Sequence, residues 1–442
     1  MRIEIKDKKK FINMFNQLYD NNAITNINGI SIDSRKIMKD DIYFPIKGNN
    51  FDGHNFIEES LKLGASICFS KNKMNNPKII NTNSVRNEIN KLCKNWMKLS
   101  QVKIIGITGS NGKTTTKNLL YHILKNQFSC SKTIGNFNSL IGLPITFLAT
   151  SLNDKYCILE YGANKPNEIK FLCDVINPYF SYITNISSAH IKNFNSIDEI
   201  YQTKTYLYKS TNVNGISFIN TDKILINKDK IKSKITTFGF NNKSDFNASI
   251  LEKNNKYYLS INNKKIFIPK QLLHLKDTIL AAYVIVRSLN INNKVLEDSI
   301  KSFNLPRGRG NIINYNNYMI IDDSYNANPA SVKLAIKRIN NIEIKGKKIL
   351  VLGDMLELGN IELEAHKEIS KIINSSTLDI IITYGTLTKK THLNIIKSKY
   401  SKHYTNKSKL KIELNNLICK NDLVYLKGSR SMELEKLYIE DK

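Results

Sequence analysis

The sequence predicts an α/β protein of three domains, and three observations lead to this prediction. Short β-branched apolar runs alternate with longer segments of helical periodicity along most of the chain, which is typical of parallel sheets covered by helices. A glycine-rich loop joins one such run to a helical segment at residues 102–116. The 442 residues also exceed what one hydrophobic core usually supports, so several domains are expected.

The composition argues against a membrane protein and a secreted protein. The longest apolar run, Ile279 to Val286, is shorter than the ~20 residues that a bilayer-spanning helix needs. The first ten residues carry charge with no apolar segment behind them, unlike a secretory signal. The six cysteines are scattered without a Cys-x-x-Cys pair, as expected of inert thiols in a reducing compartment. We therefore expect a cytoplasmic protein with no membrane insertion.

The formal net charge of +28 raises the question of a nucleic-acid partner. The excess is lysine, and it accompanies heavy use of asparagine and isoleucine, which are all encoded by A/T-rich codons. The lysines are spread along the chain, without an arginine-rich arm or an interleaved aromatic and basic pattern. Codon bias explains this composition, so no nucleic-acid partner is expected.

The first segment, residues 1–100, is predicted to form a small α/β domain. Glycines and polar residues stand where loops are expected. One polar cluster follows an apolar run and consists of Ser31, Asp33, Ser34 and Arg35. On the residues alone, an ordinary turn with a solvated charge explains this cluster as well as a ligand site does.

The glycine loop is the strongest local signal in the chain. A predicted strand ends at Thr108, and the loop that follows consists of Gly109, Ser110, Asn111 and Gly112. Glycines let backbone N–H groups turn toward phosphate oxygens, and the N-terminus of the next helix adds further N–H donors. Lys113 is then expected to neutralise outer phosphates, and the Thr114 hydroxyl to bind Mg²⁺. Because Ile107 stands where the strict P-loop pattern has glycine, a tight turn with a surface lysine is the alternative.

Two more polar side chains are predicted to face this loop. Apolar runs at Tyr156 to Glu160 and at Tyr179 to Asn185 predict strands, and His190 lies shortly beyond the second. Ligands collect outside the carboxyl ends of parallel strands, where Glu160 and His190 can hold Mg²⁺ on phosphates. Taken singly, a surface acid and a structural histidine are the alternatives. A stretch rich in glycine and amide side chains, Thr133 to Pro144, is expected to be a loop near the site.

The rest of the central segment alternates in the same way. A helix is predicted over Asp198 to Ser210, and β-hairpins over residues 224–270 with asparagine-rich turns near Asn242 and Asn254. Another helix is predicted over Leu273 to Leu289. Residues 305–310, which contain proline and two glycines, are the expected linker. The central P-loop domain is therefore expected to cover residues 101–308.

The last segment, residues 309–442, predicts a second doubly wound, Rossmann-like sheet. Its predicted strands are Tyr318 to Asp322, Lys348 to Leu352, Asp379 to Tyr384 and Asp422 to Leu426. Polar loops follow three of them, at residues 322–329, 353–359 and 427–430. The first and last loops carry opposite charges, as expected of a face that holds a zwitterion or a phosphate.

Taken together, these motifs resemble the Mur ligase family. The glycine loop and the stretch Gly135 to Pro144 mark the wider family. Ile321 to Ser331, and Val351 to Gly359 with His366, are similar to the members that add D-alanyl-D-alanine. The Asp-Asn-Pro-Arg motif of the members that add a diamino acid is absent from the sequence.

The resemblance implies a function and assigns one substrate to each domain. It implies an ATP-dependent ligase that joins D-alanyl-D-alanine to UDP-N-acetylmuramoyl-tripeptide through an acyl phosphate, with ATP and Mg²⁺ as cofactors. Residues 1–100 would bind the UDP-sugar peptide, 101–308 ATP and 309–442 the dipeptide, in a monomer with small-molecule substrates. The third residue of the tripeptide, lysine or diaminopimelate, stays open. The alternatives are another Mur or folylpolyglutamate-type ligase and a P-loop ATPase stimulated by nucleic acid.

The resemblance also implies roles for individual residues. The catalytic residues would be Lys113, Lys204, His190 and Glu160. The nucleotide would be bound by Thr108, Gly109, Ser110, Asn111, Gly112, Lys113, Thr114, Asn136, Asn138, Arg309, Asp323 and Asn326. The other substrates would be bound by Ser31, Asp33, Ser34, Arg35, Lys427, Ser429 and Arg430. The metal ligands would be Thr114, Glu160, His190 and a carbamylated Lys204.

The chain also departs from the family pattern. Leu275 and Thr278 stand where the family has asparagines that touch adenine. Thr205 and Tyr206 follow Lys204 in place of the usual Gly-Glu. The adenine contacts of this chain are therefore expected to differ from those of the family.

Overall fold

The computed structural model describes residues 1–20, 23–48, 51–187, 191–241, 243–315 and 317–438. These residues form a mixed α/β structure with three separate sheets. Within these ranges, none of the helices combines the length and the apolar character needed to cross a bilayer.

The first sheet has five strands. They are β1 (Arg2–Glu4), β2 (Gly29–Ser31), β3 (Ile42–Tyr43), β4 (Ile67–Ser70) and β5 (Ile79–Asn81). They lie in sequence order, antiparallel between β1 and β2 and parallel thereafter. The helices of this part are α1 (Lys8–Leu18), α2 (Ile57–Lys62) and α3 (Val85–Leu99). The side chain of Ser84 caps α3 by accepting from the Asn87 N–H, as favoured at a helix start.

The second sheet is the largest and carries the glycine loop. Its strands are β6 (Lys103–Thr108), β7 (Cys130–Lys132), β8 (Tyr156–Glu160), β9 (Phe180–Ile183), β10 (Ile216–Asn220), β11 (Lys234–Gly239), β12 (Phe246–Lys253), β13 (Lys256–Ile261) and β14 (Lys264–Ile268). Their order is β14-β13-β12-β11-β10-β9-β6-β8-β7. Its helices are α4 (Lys113–Leu124), α5 (Gly142–Leu148), α6 (Glu168–Val175), α7 (Ile197–Lys209), α8 (Lys276–Ser288) and α9 (Asn293–Lys301).

The prediction of hairpins over residues 224–270 is correct for its second half and wrong for its first. Strand β11 pairs in parallel with both β10 and β12, and the hairpins begin at the β12–β13 turn. The second half of β11 is buried, as an interior parallel strand requires. Asn254 and Asn255 form the predicted turn with positive φ, whereas Asn242 lies outside the described residues.

Two other predicted element boundaries differ from those in the structure. The helix expected from Leu273 begins at Lys276, because residues 270–275 form a 3₁₀ turn first. The loop expected over Thr133 to Pro144 ends earlier, since α5 already begins at Gly142. Both differences leave the order of the elements unchanged.

The third sheet confirms the four strands predicted for the last segment. Its strands are β15 (Asn311–Tyr315), β16 (Tyr318–Asp323), β17 (Lys348–Gly353), β18 (Ile380–Tyr384), β19 (Tyr400–Tyr404) and β20 (Leu423–Lys427), in the order β15-β16-β20-β17-β18-β19. Its helices are α10 (Pro329–Asn340), α11 (Glu362–Asn374), α12 (Thr388–His392) and α13 (Lys407–Leu417). The three polar loops follow β16, β20 and β17, which are neighbours, so the loops lie side by side.

The first two sheets share a hydrophobic core, and the third sheet has separate ones. Apolar residues around the first sheet, such as Phe11 and Trp96, belong to one cluster with residues of the second, such as Leu148. Asp7 also joins the two parts, because its carboxylate accepts from the Leu152 N–H at 2.8 Å. The third sheet has two clusters of its own. A shared core opposes relative motion, so the first two parts are expected to move together.

Candidate active site

The glycine loop lies between β6 and α4, and hydrogen bonds from the residues that follow β9 hold its backbone. The Ser110 N–H donates to the Asn185 carbonyl at 2.9 Å, and the Asn111 N–H donates to Asn185 Oδ1 at 3.1 Å. Gly109 has φ +139°, and a Cβ there would lie 2.0 Å from the Thr184 hydroxyl oxygen. The loop conformation therefore depends on glycine at this position.

Two side chains of this region hold the loop in place. The Thr108 hydroxyl is buried and donates to the Tyr161 carbonyl at 2.7 Å. The Ser110 hydroxyl donates to the Ser187 carbonyl at 3.0 Å and accepts from the Ser187 N–H at 2.9 Å. Both hydroxyl groups thereby stabilise the loop itself.

Two lysines approach the loop from different elements. Lys113 Nζ donates to the Gly109 carbonyl at 2.6 Å, and burial lowers the pKa of Lys113 to about 8. Lys204, buried on α7, places its Nζ 3.5 Å from the same carbonyl. Burial, followed by repulsion from Lys113, lowers the pKa of Lys204 to about 7. Cationic groups gathered at a loop of N–H donors suit a polyanion such as a triphosphate.

Glu160 lies at the end of β8 with its carboxylate divided between two sets of contacts. Its Oε2 accepts from the Thr114 hydroxyl and from Asn138 Nδ2, each at 3.3 Å. Its Oε1 lies 2.9 Å from Lys117 Nζ, and both side chains of this ion pair are at most 2% exposed. A carboxylate and a hydroxyl that face each other are hard oxygen donors of the kind that Mg²⁺ prefers.

Lys117 is a residue that the sequence analysis missed. In a chain with so many lysines, nothing in its side-chain type distinguishes it. The available signal was its position four residues after Lys113, which places both side chains on the same face of α4.

The amide-rich loop contributes Asn138 to the site and leaves Asn136 exposed. The carbonyl of Asn138 accepts from the Gly162 N–H at 2.8 Å, so the loop is tied to the residues after β8. The Asn136 carbonyl accepts from the Asn138 N–H at 2.8 Å. The structure therefore brings Asn138 to Glu160 and gives Asn136 a position on the exposed rim of the same loop.

The third sheet reaches the glycine loop through polar contacts. Arg309 Nη2 donates to the Thr114 hydroxyl at 3.3 Å, and its guanidinium lies 3.8 Å from the centre of the Tyr325 ring. Asn328, which caps α10, donates through Nδ2 to Asn111 Oδ1 at 2.7 Å. Arg309 is thus at the site, as the resemblance implied, and Asn328 joins it as a further contact that the sequence analysis missed.

The other predicted residues of the third sheet are engaged with one another. Lys427 is buried, with its Nζ 3.0 Å from Asp323 Oδ2 and donating to the Asn326 carbonyl at 2.6 Å. Ser429 Oγ accepts from the Leu356 N–H at 2.9 Å. Arg430 is more exposed and pairs with Glu435. These contacts hold the neighbouring polar loops together at the carboxyl edge of the sheet.

His366, highlighted by the sequence, supports one of those loops. Its ring is buried, donates through Nδ1 to the Glu362 carbonyl at 2.6 Å and accepts through Nε2 from the Met355 N–H at 3.0 Å. Burial lowers its pKa, which favours the neutral ring that this pair of bonds requires. His190, predicted as a catalytic residue and a metal ligand, lies outside the described residues.

The polar cluster of the first sheet forms a closed turn. Ser31 Oγ donates to the Asp33 carbonyl at 2.9 Å. Arg35 contacts both Asp33 oxygens, with Nε at 2.8 Å and Nη2 at 3.0 Å. Ser34 is buried and begins a short 3₁₀ turn. The Arg35 side chain is 85% exposed although its guanidinium is paired with Asp33.

Family models match most of the chain. Residues 26–104 match "Mur ligase family, catalytic domain", residues 107–279 match "Mur ligase middle domain", and residues 308–430 match "Mur ligase, glutamate ligase domain". The matches follow the three sheets in order.

Relatives with established names match at nearly full length. The UDP-N-acetylmuramoyl-tripeptide--D-alanyl-D-alanine ligase of Bacillus subtilis is 32% identical over 93% of both chains. The enzyme of that name from Buchnera aphidicola subsp. Baizongia pistaciae is 33% identical over 95% of this chain and 94% of its own. The crystal structure of MurF ligase from Thermotoga maritima in complex with ADP has a TM-score of 0.81 at 26% identity, covering 92% of this chain and 95% of that one. This chain belongs to the Mur ligase family.

Proposed function

We infer that this chain is an ATP-dependent ligase that joins D-alanyl-D-alanine to UDP-N-acetylmuramoyl-tripeptide during peptidoglycan precursor synthesis. The relatives that match it at nearly full length carry this activity in their names. The observation in the structure that best supports it is the contact of Arg309, just before the third sheet, with Thr114 on α4, next to the glycine loop. This contact supports the proposal that the third domain, with the dipeptide, acts on the phosphate bound at the glycine loop.

The reaction requires activation of an inert acid. The terminal carboxylate of the tripeptide attacks the γ-phosphorus of ATP, which forms an acyl phosphate and releases ADP. The amine of the dipeptide then attacks the acyl carbon, and a tetrahedral intermediate collapses with loss of phosphate, leaving the amide after one proton is released from nitrogen. Catalysis of such steps rests on positioning and on neutralising charge, which the cations around the loop supply.

We propose the following nucleotide contacts. The backbone of the glycine loop and Lys113 bind the phosphates, and Arg309 neutralises charge from the third domain. The full set proposed for the nucleotide is Thr108, Gly109, Ser110, Asn111, Gly112, Lys113, Thr114, Asn136, Asn138, Arg309, Asp323 and Asn326. Within this set, Thr108 and Ser110 act by holding the loop, as their hydrogen bonds indicate.

We propose that Mg²⁺ is held by Thr114, Glu160, His190 and a carbamylated Lys204. The oxygen donors of Thr114 and Glu160 suit this ion, which also binds substrate phosphates. When bound, Mg²⁺ supplies neutralisation of the phosphate charge. The low pKa of Lys204 leaves a large part of it as the neutral amine that adds CO₂. Addition of CO₂ to the neutral amine, with release of one proton, would place an anionic oxygen ligand beside Gly109.

We propose three domains with separate substrates. Residues 1–100 bind the UDP-sugar peptide through Ser31, Asp33, Ser34 and Arg35, and residues 101–308 bind ATP. Residues 309–442 bind the dipeptide, with Lys427, Ser429 and Arg430 near it or near the transferred phosphate. We further propose that the protein acts as a monomer in the cytoplasm, where ATP and UDP-linked sugars occur, since one chain supplies all of these residues.

The assay that tests this function measures phosphate release. With ATP, Mg²⁺, UDP-N-acetylmuramoyl-tripeptide and D-alanyl-D-alanine, we expect release only when both substrates are present, with lysine-containing and diaminopimelate-containing tripeptides offered in competition. Lys113→Ala should abolish release, because it removes a phosphate-binding cation. Release without the two substrates, or stimulation by polynucleotide in their place, would show that the chain is another kind of ATPase.

A further inference from the structure

Lys117 is a buried lysine with three oxygen atoms close to its ammonium group, two of them hydrogen-bonded carbonyls and the third in an ion pair. Its side chain is 2% exposed, and its Nζ lies 2.9 Å from Glu160 Oε1. It also donates to the carbonyl oxygens of Thr133 and Gly135, each at 3.0 Å. An ammonium group has three protons, and three oxygens lie within 3.0 Å of this one. A buried lysine is tolerated when it is paired in this way.

The ion pair determines which oxygen of Glu160 faces the nucleotide loop. Lys117 occupies Oε1, so that Oε2 remains for the Thr114 hydroxyl and Asn138. Without the ammonium group, the buried carboxylate would lose this counterion, and only the 3.3 Å contacts of Oε2 would hold it in place. The contact therefore supplies a counterion to Glu160 and orients its carboxylate.

The same ammonium group also joins three segments that the site needs. It projects from α4, which begins with the nucleotide-binding Lys113, and it reaches the carboxyl end of β8. Through Thr133 and Gly135 it holds the start of the amide-rich loop that carries Asn138. A single side chain thus sets the relative positions of helix, strand and loop.

We propose that Lys117 is a positioning residue, which orients Glu160 toward the metal–nucleotide complex and fixes the amide-rich loop beside it. The proposal rests on the proposed function in that Glu160 is taken as a magnesium ligand. It assigns Lys117 no contact with the substrate and no proton transfer. Its effect is on the binding of magnesium with nucleotide.

The test compares ADP binding in saturating Mg²⁺ and in EDTA, by calorimetry on the full-length chain. For Lys117→Met we expect the affinity gained from Mg²⁺ to fall by about 10–100-fold, the usual effect of losing a group that orients a metal ligand. Binding in EDTA should fall much less, because the glycine loop and Lys113 do not contact Lys117. Lys125→Met, at an exposed lysine just after the same helix, should change neither value.

A double-mutant cycle separates positioning from general stability. Once Glu160→Gln has removed the carboxylate, adding Lys117→Met should cost no further magnesium-dependent affinity. The double variant also removes both buried charges, so it serves if Lys117→Met alone does not fold. The inference is overturned if Lys117→Met keeps the wild-type response to Mg²⁺ or loses affinity equally in EDTA. An additive loss in the Glu160→Gln background also overturns it.

This outcome is independent of the ligase assay. If the wild-type chain ligates its substrates and Lys117→Met keeps its response to Mg²⁺, the positioning role is wrong and the proposed function stands. If the wild-type chain releases no phosphate with both substrates, the proposed function fails, and ADP binding still decides the role of Lys117.

Discussion

Two buried lysines near the glycine loop, Lys117 and Lys204, differ in the groups that surround their side-chain nitrogen atoms. Lys117 has a carboxylate and two carbonyl oxygens within 3.0 Å. Lys204 has the Gly109 carbonyl at 3.5 Å and the like charge of Lys113 in its neighbourhood. Burial, followed by repulsion from Lys113, lowers the pKa of Lys204 and favours its neutral amine. We therefore propose a positioning role for Lys117 and carbamylation for Lys204.

The neutral fraction of Lys204 leads to a prediction about carbamylation. Its pKa of about 7 lies below the ordinary 10.5, so the amine that adds CO₂ is mostly unprotonated at pH 8 and mostly protonated at pH 6. We expect a carbamate resonance by ¹³C NMR in ¹³C-bicarbonate at pH 8 that weakens at pH 6.

The matched variants are Lys204→Arg and Lys209→Arg, which lie on the same helix. Lys204→Arg keeps a positive charge but cannot form the carbamate, so it should lose the resonance and lower the ligase rate about 100-fold, the scale of misplaced catalytic groups. Lys209→Arg should keep both. Persistence of the resonance in Lys204→Arg would assign it to a different amine.

At the scale of elements, the conformation of the glycine loop depends on two neighbouring strands, β6 and β9. β6 leads into the loop, and the residues after β9 hold it from the other side through Thr184 and Asn185. Gly109 fits between them because it has no side chain, and its φ of +139° is outside the range that other residues adopt readily. The loop is therefore shaped before any nucleotide binds.

Gly109→Ala should disrupt the conformation of the glycine loop. The added methyl group would lie 2.0 Å from the Thr184 hydroxyl and 3.0 Å from the Asn185 carbonyl. We expect a loss of at least about 2 kcal/mol in the free energy of unfolding, with loss of ADP binding, measured by denaturation and calorimetry. Gly48→Ala is the matched control, since its nearest neighbour would be 3.8 Å away. Equal stability of the two variants would contradict this account.

At the scale of the whole molecule, the third domain differs from the other two in how it is attached. The first two parts share a hydrophobic core, whereas the third has hydrophobic clusters of its own. The third part contacts the glycine loop through Asn328 and the start of α4 through Arg309. A hydrogen bond contributes about 1 kcal/mol when both groups are neutral and about 1.5–3 kcal/mol when one is charged, as in Arg309. The Lys192 N–H adds one more contact, to the Glu357 carbonyl at 3.3 Å. A docking that depends on so few polar contacts is reversible. The third domain is therefore expected to open and close over the site.

Asn328→Ser should shift this equilibrium without unfolding α10. Serine caps a helix as well as asparagine does, but it lacks the amide that donates to Asn111. With dyes on the exposed Cys419 and on Lys73→Cys, we expect the open population to rise by up to about tenfold in single-molecule energy transfer. Asn292→Ser, the same change at the cap of α9, should leave it unchanged. An unchanged population in Asn328→Ser would show that this contact does not hold the domain.

Much of the fold and part of the site could be predicted because their signals are local. The four strands of the last segment and the loop from Gly109 to Gly112 are contained in short runs of sequence. The parallel pairing of β11 could not be predicted, because it depends on how whole strands are arranged in the sheet and not on the residues of β11 alone. The structure also shows Asp323 and Lys427 paired with each other, which charge alone did not indicate.

The sequence by itself determined the order of elements, the phosphate-binding loop and the family, because each depends on residue types at fixed short spacing. Only the tertiary structure decided which side chains meet. Arg309 reaches Thr114 across 195 positions of the chain, and Lys117 becomes the counterion of Glu160 because α4 packs over the end of β8. Such contacts depend on the burial and orientation of whole elements, which no short segment of sequence contains.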